Sequence, residues 1–187
     1  MDEKTKIAPM QIGPAPKPID AGVRIGHVHL KVADLDRALA FYCGVLGFEL
    51  TQRVRGAAFI SAGGYHHHIG LNTWESYGGS PPSMGTTGLY HLAILYPTRA
   101  QLADALRRVI EAKIPLEGAS DHGVSEALYL RDPDDNGVEL YWDRPKEQWP
   151  RTKEGELAMV TERLDLTDLL GELKLPDAAT AEAATER

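Results

Sequence analysis

Hydrophobic and polar residues follow the same order in two segments of the chain. The first segment reads GHVHLKVADLDRALAFYCGVLGFEL and the second reads YHLAILYPTRAQLADALRRVIEAKI. Each begins with alternating apolar and polar residues, which predict a strand, and continues as an amphipathic helix. Asp34 and Thr98 stand where the two helices would begin, and both residue types are favourable N-caps. The sequence therefore contains a duplicated strand-helix unit.

Shorter apolar segments extend each unit to a β-α-β-β-β module, which predicts an α+β fold. The first module is predicted to contain a strand at 25–32, a helix at 35–45 and strands near 48–54, 57–62 and 66–73. The second is predicted to contain a strand at 90–96, a helix at 99–112 and strands near 115–119, 126–131 and 137–142. A Gly/Ser/Pro-rich segment at 78–88 has the composition of a linker between the two modules.

The ends of the chain differ in composition from its centre. Four prolines predict an extended arm at 1–23, followed by a domain at 24–150 whose modules cover 24–77 and 88–145. The segment 155–174 has a helical pattern and could cover a sheet edge or contact a partner. The last part of the extension 151–187, DAATAEAATER, has almost no bulky apolar residues and is expected to be a disordered tail.

Composition narrows the possible classes of function. Apolar residues make up 43% of the chain and charged residues 25%, as in ordinary globular proteins. The net charge of −7, without a basic cluster, argues against a nucleic-acid partner. The apolar runs are too short to cross a membrane. The N-terminal pattern is unlike a signal peptide, and one cysteine, Cys43, fits a reducing compartment, so a cytoplasmic location is expected.

Strand alternation predicts where the histidines point. Val28, Leu30 and Val32 would face the helix, because successive strand side chains point to opposite sides of the sheet. His27 and His29 would then point to the other side. In the second module Leu92, Ile94 and Tyr96 would face the helix, which leaves His91 on the other side. Each module therefore presents a histidine on its inner face.

The last predicted hairpin contributes a carboxylate to the same side. Its sequence, ALYLRDPDDNGVELYW, contains a strong turn signal, DPDDNG. Closing the hairpin about this turn places Tyr129 opposite Glu139, with their Cβ atoms about 5 Å apart. A glutamate among core leucines is costly to bury unless it is paired or binds a cation. Two histidines and one carboxylate form the facial triad of non-haem Fe(II) oxygenases, although Mn²⁺, Zn²⁺ or Co²⁺ can use the same ligands.

The same segments resemble a known superfamily. GHVHLKVADLDRALAFYCGVLGFEL, YHHHIGLNTW, YHLAI and ALYLRDPDDNGVELYWDRP together resemble the vicinal oxygen chelate superfamily over about residues 24–149. That superfamily includes glyoxalase I, extradiol dioxygenases, and fosfomycin and bleomycin resistance proteins. The sequence is most similar to its single-domain catechol 2,3-dioxygenase-like branch. This resemblance implies a curved eight-stranded half-barrel around a metal cavity, and a homodimer or higher homo-oligomer.

The resemblance also implies roles for individual residues. The metal ligands would be His27, His91 and Glu139, with His29 as a competing choice for the first. In the family pattern HHxIxL, HHHIGL places His67 at the acid–base position, and His68 stays open as an alternative. Tyr129, ten residues before the glutamate, matches a tyrosine of the extradiol enzymes and is the second catalytic candidate. The substrate-binding candidates are His29, His122 and Trp142.

The implied reaction is extradiol cleavage of a catechol-type substrate by Fe(II) and O₂. Ile69 stands where glyoxalase I has a fourth, glutamate ligand, and an aliphatic side chain cannot bind a metal. One alternative is a lyase, isomerase or thiol transferase that uses Zn²⁺, Ni²⁺ or Mn²⁺ on the same fold. Another is a protein that binds an aromatic ligand without catalysis.

Overall fold

The computed structural model describes residues 17–173. Most of the predicted arm at 1–23 and the whole predicted tail at 177–187 lie outside the described residues. None of the helices in the described range is long and apolar enough to cross a membrane.

The first module forms a four-stranded sheet with one helical segment. Its strands are β1 (Val28–Lys31), β2 (Glu49–Val54), β3 (Ala57–Ser61) and β4 (Ile69–Asn72), in the spatial order β1-β4-β3-β2. β1 runs parallel to β4, and the other pairs are antiparallel. Helix α1 (Leu35–Leu39) continues as a π-helical segment at Ala40–Val45. The predicted helix at 35–45 is therefore present, with wider turns in its second half.

The second module repeats this arrangement and adds one strand. Its elements are β5 (Leu92–Leu95), α2 (Arg99–Glu111), β6 (Leu116–Asp121), β7 (Ser125–Arg131) and β8 (Gly137–Asp143). The strand order is β5-β8-β7-β6, as in the first module, and β9 (Glu162–Arg163) pairs with β6 at the edge. The α+β fold with duplicated modules is confirmed. The strands form two sheets of four and five strands that do not close into a barrel.

The helices begin at the predicted caps. The Asp34 side chain accepts a hydrogen bond from the Arg37 backbone N–H, and the Thr98 hydroxyl accepts one from the Gln101 backbone N–H. Both satisfy a backbone donor that has no partner within its own helix. The buried faces of the helices and sheets then meet in one hydrophobic core that includes residues of both modules. These contacts leave the opposite face of each sheet free for polar side chains.

The prediction of a helix over 155–174 was wrong for most of that segment. Only α3 (Leu166–Leu170) is α-helical there, and it begins where the Asp165 carboxylate accepts bonds from two backbone N–H groups. The residues before α3 have little regular structure apart from β9, which pairs with the edge of β6. Helices in proteins depend on tertiary packing for most of their stability, and pairing with the edge of β6 stabilises this segment as a strand instead. The suggestion that this segment covers a sheet edge is confirmed.

Two aspartates in the β7–β8 turn connect the modules. Asp134 accepts hydrogen bonds from the Ala33 backbone N–H and the Arg37 guanidinium, and it is 7% exposed. Asp132 accepts a bond from the hydroxyl of Tyr42, a fully buried residue of the first module. The turn thus fixes the second module against the helix of the first.

We expect Asp134→Ala to lower the free energy of unfolding by roughly 1–3 kcal/mol, because the buried Ala33 N–H loses its acceptor. Chemical denaturation measures this change. Asp135→Asn is the control, since Asp135 is exposed and has a positive φ that asparagine tolerates. The control should change stability by less than about 0.5 kcal/mol. Equal losses in both variants would contradict the role of Asp134.

Candidate active site

His91 and Glu139 meet on the inner face of the second sheet. His91 directly precedes β5, and β5 is the parallel neighbour of β8, which carries Glu139. Val138 and Leu140, on either side of Glu139, are buried in the core, so the carboxylate points the other way. His91 Nε2 lies 2.9 Å from Glu139 Oε2. Two of the three predicted metal ligands are therefore in direct contact.

Tyr129 and His122 extend this contact into a chain of four polar side chains. Tyr129 lies opposite Glu139 in the β7–β8 ladder, which confirms the predicted register. Its hydroxyl lies 3.2 Å from Glu139 Oε1 and 2.8 Å from His122 Nε2. Burial, followed by the negative charge of Glu139, raises the pKa of Tyr129 to about 12. Tyr129 therefore keeps its proton at neutral pH.

His27 and His67 form a second cluster in the first module. Their ring centroids are 4.5 Å apart, and the His67 ring also packs against Phe59. Desolvation, and then the nearby charge of His27, lowers the pKa of His67. His68 Nδ1 lies 3.1 Å from Ser61 Oγ, and His68 lines a cavity that His27 and His91 also line. The structure thus places His67 beside the first predicted ligand and His68 against the end of β3.

The remaining substrate-binding candidates differ in their surroundings. The His29 ring is exposed and packs against Trp74 above Gly70, where an added Cβ would lie 2.9 Å from the ring. Trp142 packs against the hydrophobic core on the side of β8 that carries Leu140. That side of β8 is opposite to the one that carries Glu139. A direct substrate contact is therefore not expected for Trp142. For His29, substrate binding stays a proposal.

Two cavities adjoin these clusters. One, of about 640 Å³, lies between the modules, and both His27 and His91 line it. The other, of about 360 Å³, lies against the second sheet, and its wall includes His91, Tyr129, His122 and Thr161. His91 borders both cavities. A small molecule in either space would therefore be beside His91.

The His91–Glu139 pair fits a shared divalent metal ion. Nitrogen and oxygen ligands lie about 2.1 Å from such an ion, so two ligands at right angles are about 3 Å apart. The observed separation of 2.9 Å is that of a direct hydrogen bond and is also compatible with two ligands of one ion. His91 Nδ1 is buried and has no hydrogen-bond partner among residues 17–173, so Nε2 carries the polar interactions of the ring.

His27 does not join this pair in the single chain. Within the described range, no three His, Cys, Asp or Glu side chains form a group that could hold a metal ion. The strands that follow His27 and His91, β1 and β5, belong to separate sheets. No backbone ladder between them fixes the distance from His27 to His91. The predicted set of three ligands is thus only partly assembled.

Comparison with known proteins identifies the family. A model of the Glyoxalase/Bleomycin resistance protein/Dioxygenase superfamily matches residues 24–140. The chain belongs to this superfamily. Among solved structures, a glyoxalase/dioxygenase from Nostoc punctiforme superposes with a TM-score of 0.55 at 22% identity. That superposition covers 71% of this chain and 100% of the other, and it agrees with the fold.

Two curated members of the superfamily are dioxygenases. Catechol-2,3-dioxygenase of Bacillus subtilis strain 168 is 43% identical over 154 residues, which are 82% of this chain and 53% of that protein. Biphenyl-2,3-diol 1,2-dioxygenase 3 of Rhodococcus globerulus is 32% identical over 126 residues, which are 64% and 63% of the two chains. This superfamily member therefore spans between half and two thirds of the length of these relatives.

One contact in the site, between His122 and Val160, could not be predicted from the sequence. His122 was a candidate, but its contact with the segment after the family match was not predicted. His122 Nδ1 lies 2.9 Å from the Val160 carbonyl oxygen. The pairing of β6 with β9 brings these two residues together. No local pattern signals such a pairing, because β9 has only two residues.

Proposed function

We propose that the protein is an extradiol dioxygenase that opens the ring of a catechol-type substrate. The observation that carries this proposal is the chain His91–Glu139–Tyr129–His122, in a protein 43% identical to a catechol-2,3-dioxygenase. In this chain the His91–Glu139 pair, which is suited to metal binding, is connected to the neutral phenol of Tyr129 and to a second histidine, His122. Those groups can hold the two adjacent oxygens of a diol by metal ligation and hydrogen bonding.

In this proposal His91 and Glu139 hold Fe(II), or alternatively Mn²⁺, and His27 is the third ligand. A metal held by these residues would act as a Lewis acid toward the catechol hydroxyls and would supply the redox chemistry that O₂ requires. His27 and His91 line the same cavity, which supports their joint role. Dimer formation, a cytoplasmic location and a part in aromatic catabolism stay predictions from the sequence.

The chain's own residues handle the substrate and its protons. A ring nitrogen of His67 takes a proton from a substrate hydroxyl and later returns this proton to the reacting substrate. Its lowered pKa favours the neutral ring that a base requires. Tyr129 keeps its proton, because its pKa is raised to about 12, and its neutral hydroxyl forms a hydrogen bond with a substrate hydroxyl.

Oxygen uptake tests this function. Protein loaded anaerobically with Fe(II) is mixed with a panel of catechols, and O₂ consumption is followed together with the mass of the product. We expect one O₂ consumed for each catechol, and two ¹⁸O atoms in each product molecule when ¹⁸O₂ is supplied. The same protein loaded with Zn²⁺ is the control and should consume none. No oxygen uptake with any member of the panel would exclude the proposal.

A further inference from the structure

The segment that follows the family match contacts His122 on two sides. The superfamily model ends at residue 140, whereas Val160 and Thr161 lie further along the chain. The Val160 backbone N–H donates to the His122 backbone carbonyl at 3.1 Å. The Val160 carbonyl oxygen lies 2.9 Å from His122 Nδ1, and Thr161 Oγ1 lies 3.3 Å from the same nitrogen. This segment thus holds both the backbone and the ring of His122.

The contact with a carbonyl determines which ring nitrogen carries the hydrogen. A carbonyl oxygen can only accept, so the Nδ1 atom of His122 must be the donor. In a neutral imidazole the other nitrogen, Nε2, is then an acceptor. The hydroxyl of Tyr129 lies 2.8 Å from His122 Nε2 and is the donor that it faces.

Tyr129 has one hydroxyl hydrogen but two neighbouring acceptors. His122 Nε2 lies at 2.8 Å and Glu139 Oε1 at 3.2 Å. If Nε2 accepts the hydrogen, the lone pairs of the Tyr129 oxygen are left for other donors. The Glu139 carboxylate is then also left without the Tyr129 proton, which keeps it available for a cation. The state of the His122 ring therefore sets the direction of the Tyr129 hydrogen bond.

We propose that the Val160 carbonyl holds His122 in the Nδ1–H tautomer, so that Tyr129 donates to His122 and presents its oxygen as an acceptor to a substrate hydroxyl. Val160 is then a positioning residue that acts through His122. The tautomer is a property of the chain itself. Only its importance for turnover rests on the proposed dioxygenase function.

Nitrogen NMR of the full-length protein tests the tautomer without any reaction. Long-range ¹H–¹⁵N correlation distinguishes the two neutral tautomers and the imidazolium, and His122→Gln identifies the signals of this ring. Spectra are recorded near pH 8.5, well above the ordinary histidine pKa of about 6.5. We expect the Nδ1–H form. The Nε2–H form or the imidazolium in the wild type would overturn the proposal.

A pair of proline variants tests whether the segment sets this tautomer. Val160→Pro removes the N–H that bonds to the His122 carbonyl, and we expect the averaged ¹⁵N shifts of the ring to move toward those of the Nε2–H form. Met159→Pro is the control, because the Met159 N–H makes no hydrogen bond within the described residues. Thr161→Val should keep the wild-type spectrum, since the carbonyl remains. A wild-type spectrum in Val160→Pro would contradict the role of the segment.

Turnover separates this inference from the proposed function. In Fe(II)-loaded protein we expect Val160→Pro to lower kcat by roughly 10–100-fold, by analogy with hydrogen-bond partners that orient the residues of metal sites, with the bound metal unchanged. Met159→Pro should keep wild-type kcat. If the wild type has no ring-cleaving activity but shows the Nδ1–H form, the proposed function fails and the tautomer assignment stands. An unchanged kcat in Val160→Pro would show that the tautomer does not affect turnover.

Discussion

Glu139→Ala is expected to abolish turnover and the tight binding of metal. Glu139 is the carboxylate in contact with His91 Nε2, and its side chain is 13% exposed. Without it one anionic ligand is lost, and a site of neutral histidines holds a divalent cation poorly. The loss of rate should exceed the roughly 10²–10⁴-fold range of proton-transfer residues. Metal analysis after dialysis and oxygen uptake measure the two effects.

A control on the same strand distinguishes this effect from damage to the fold. Asp143 lies in β8 on the same side as Glu139, but it is exposed. Asp143→Asn should keep metal and activity. In metal-free protein, Glu139→Ala should also lower the pKa of Tyr129 from about 12, because the carboxylate contributes to its rise. Retention of stoichiometric metal by Glu139→Ala would show that Glu139 is not a ligand.

The contact between Tyr129 and Glu139 was predictable because a local signal fixes it. The turn DPDDNG sets the closure of the β7–β8 hairpin, and strand alternation then decides which side chains share a face. The same reasoning placed Leu30 and Leu92 in the core and the neighbouring histidines outside it. A pattern repeated every two residues, with a strong turn, defines a register without knowledge of the rest of the chain.

The placement of His27 relative to His91 has no such signal. Each histidine precedes an edge strand of its own sheet, so their separation depends on the packing of two modules. Contacts such as Asp134 with Ala33 set that packing, and they join residues distant in the sequence. The contact of Val160 with His122 is non-local in the same way. Strand faces could therefore be predicted, whereas distances across modules could not.

His67→Phe is expected to reduce kcat by roughly 10²–10⁴-fold while the protein keeps its metal. Phenylalanine preserves the aromatic packing on Phe59 but has no nitrogen to exchange a proton with the substrate. His91 and Glu139 are unchanged, so the pair suited to metal binding remains. Single-turnover kinetics with metal-loaded protein measure the chemical step. Loss of metal in His67→Phe would show that His67 is a ligand.

His68→Phe decides between the two adjacent histidines. His68 contacts Ser61 at the end of β3, whereas His67 lies beside His27. We therefore expect His68→Phe to change kcat by less than about tenfold, well below the range for loss of an acid–base group. A larger loss in His68→Phe than in His67→Phe would transfer the proton-exchange role to His68. Both variants remove one imidazole from the same segment. The difference between their kcat values therefore shows which of the two rings reaches the substrate.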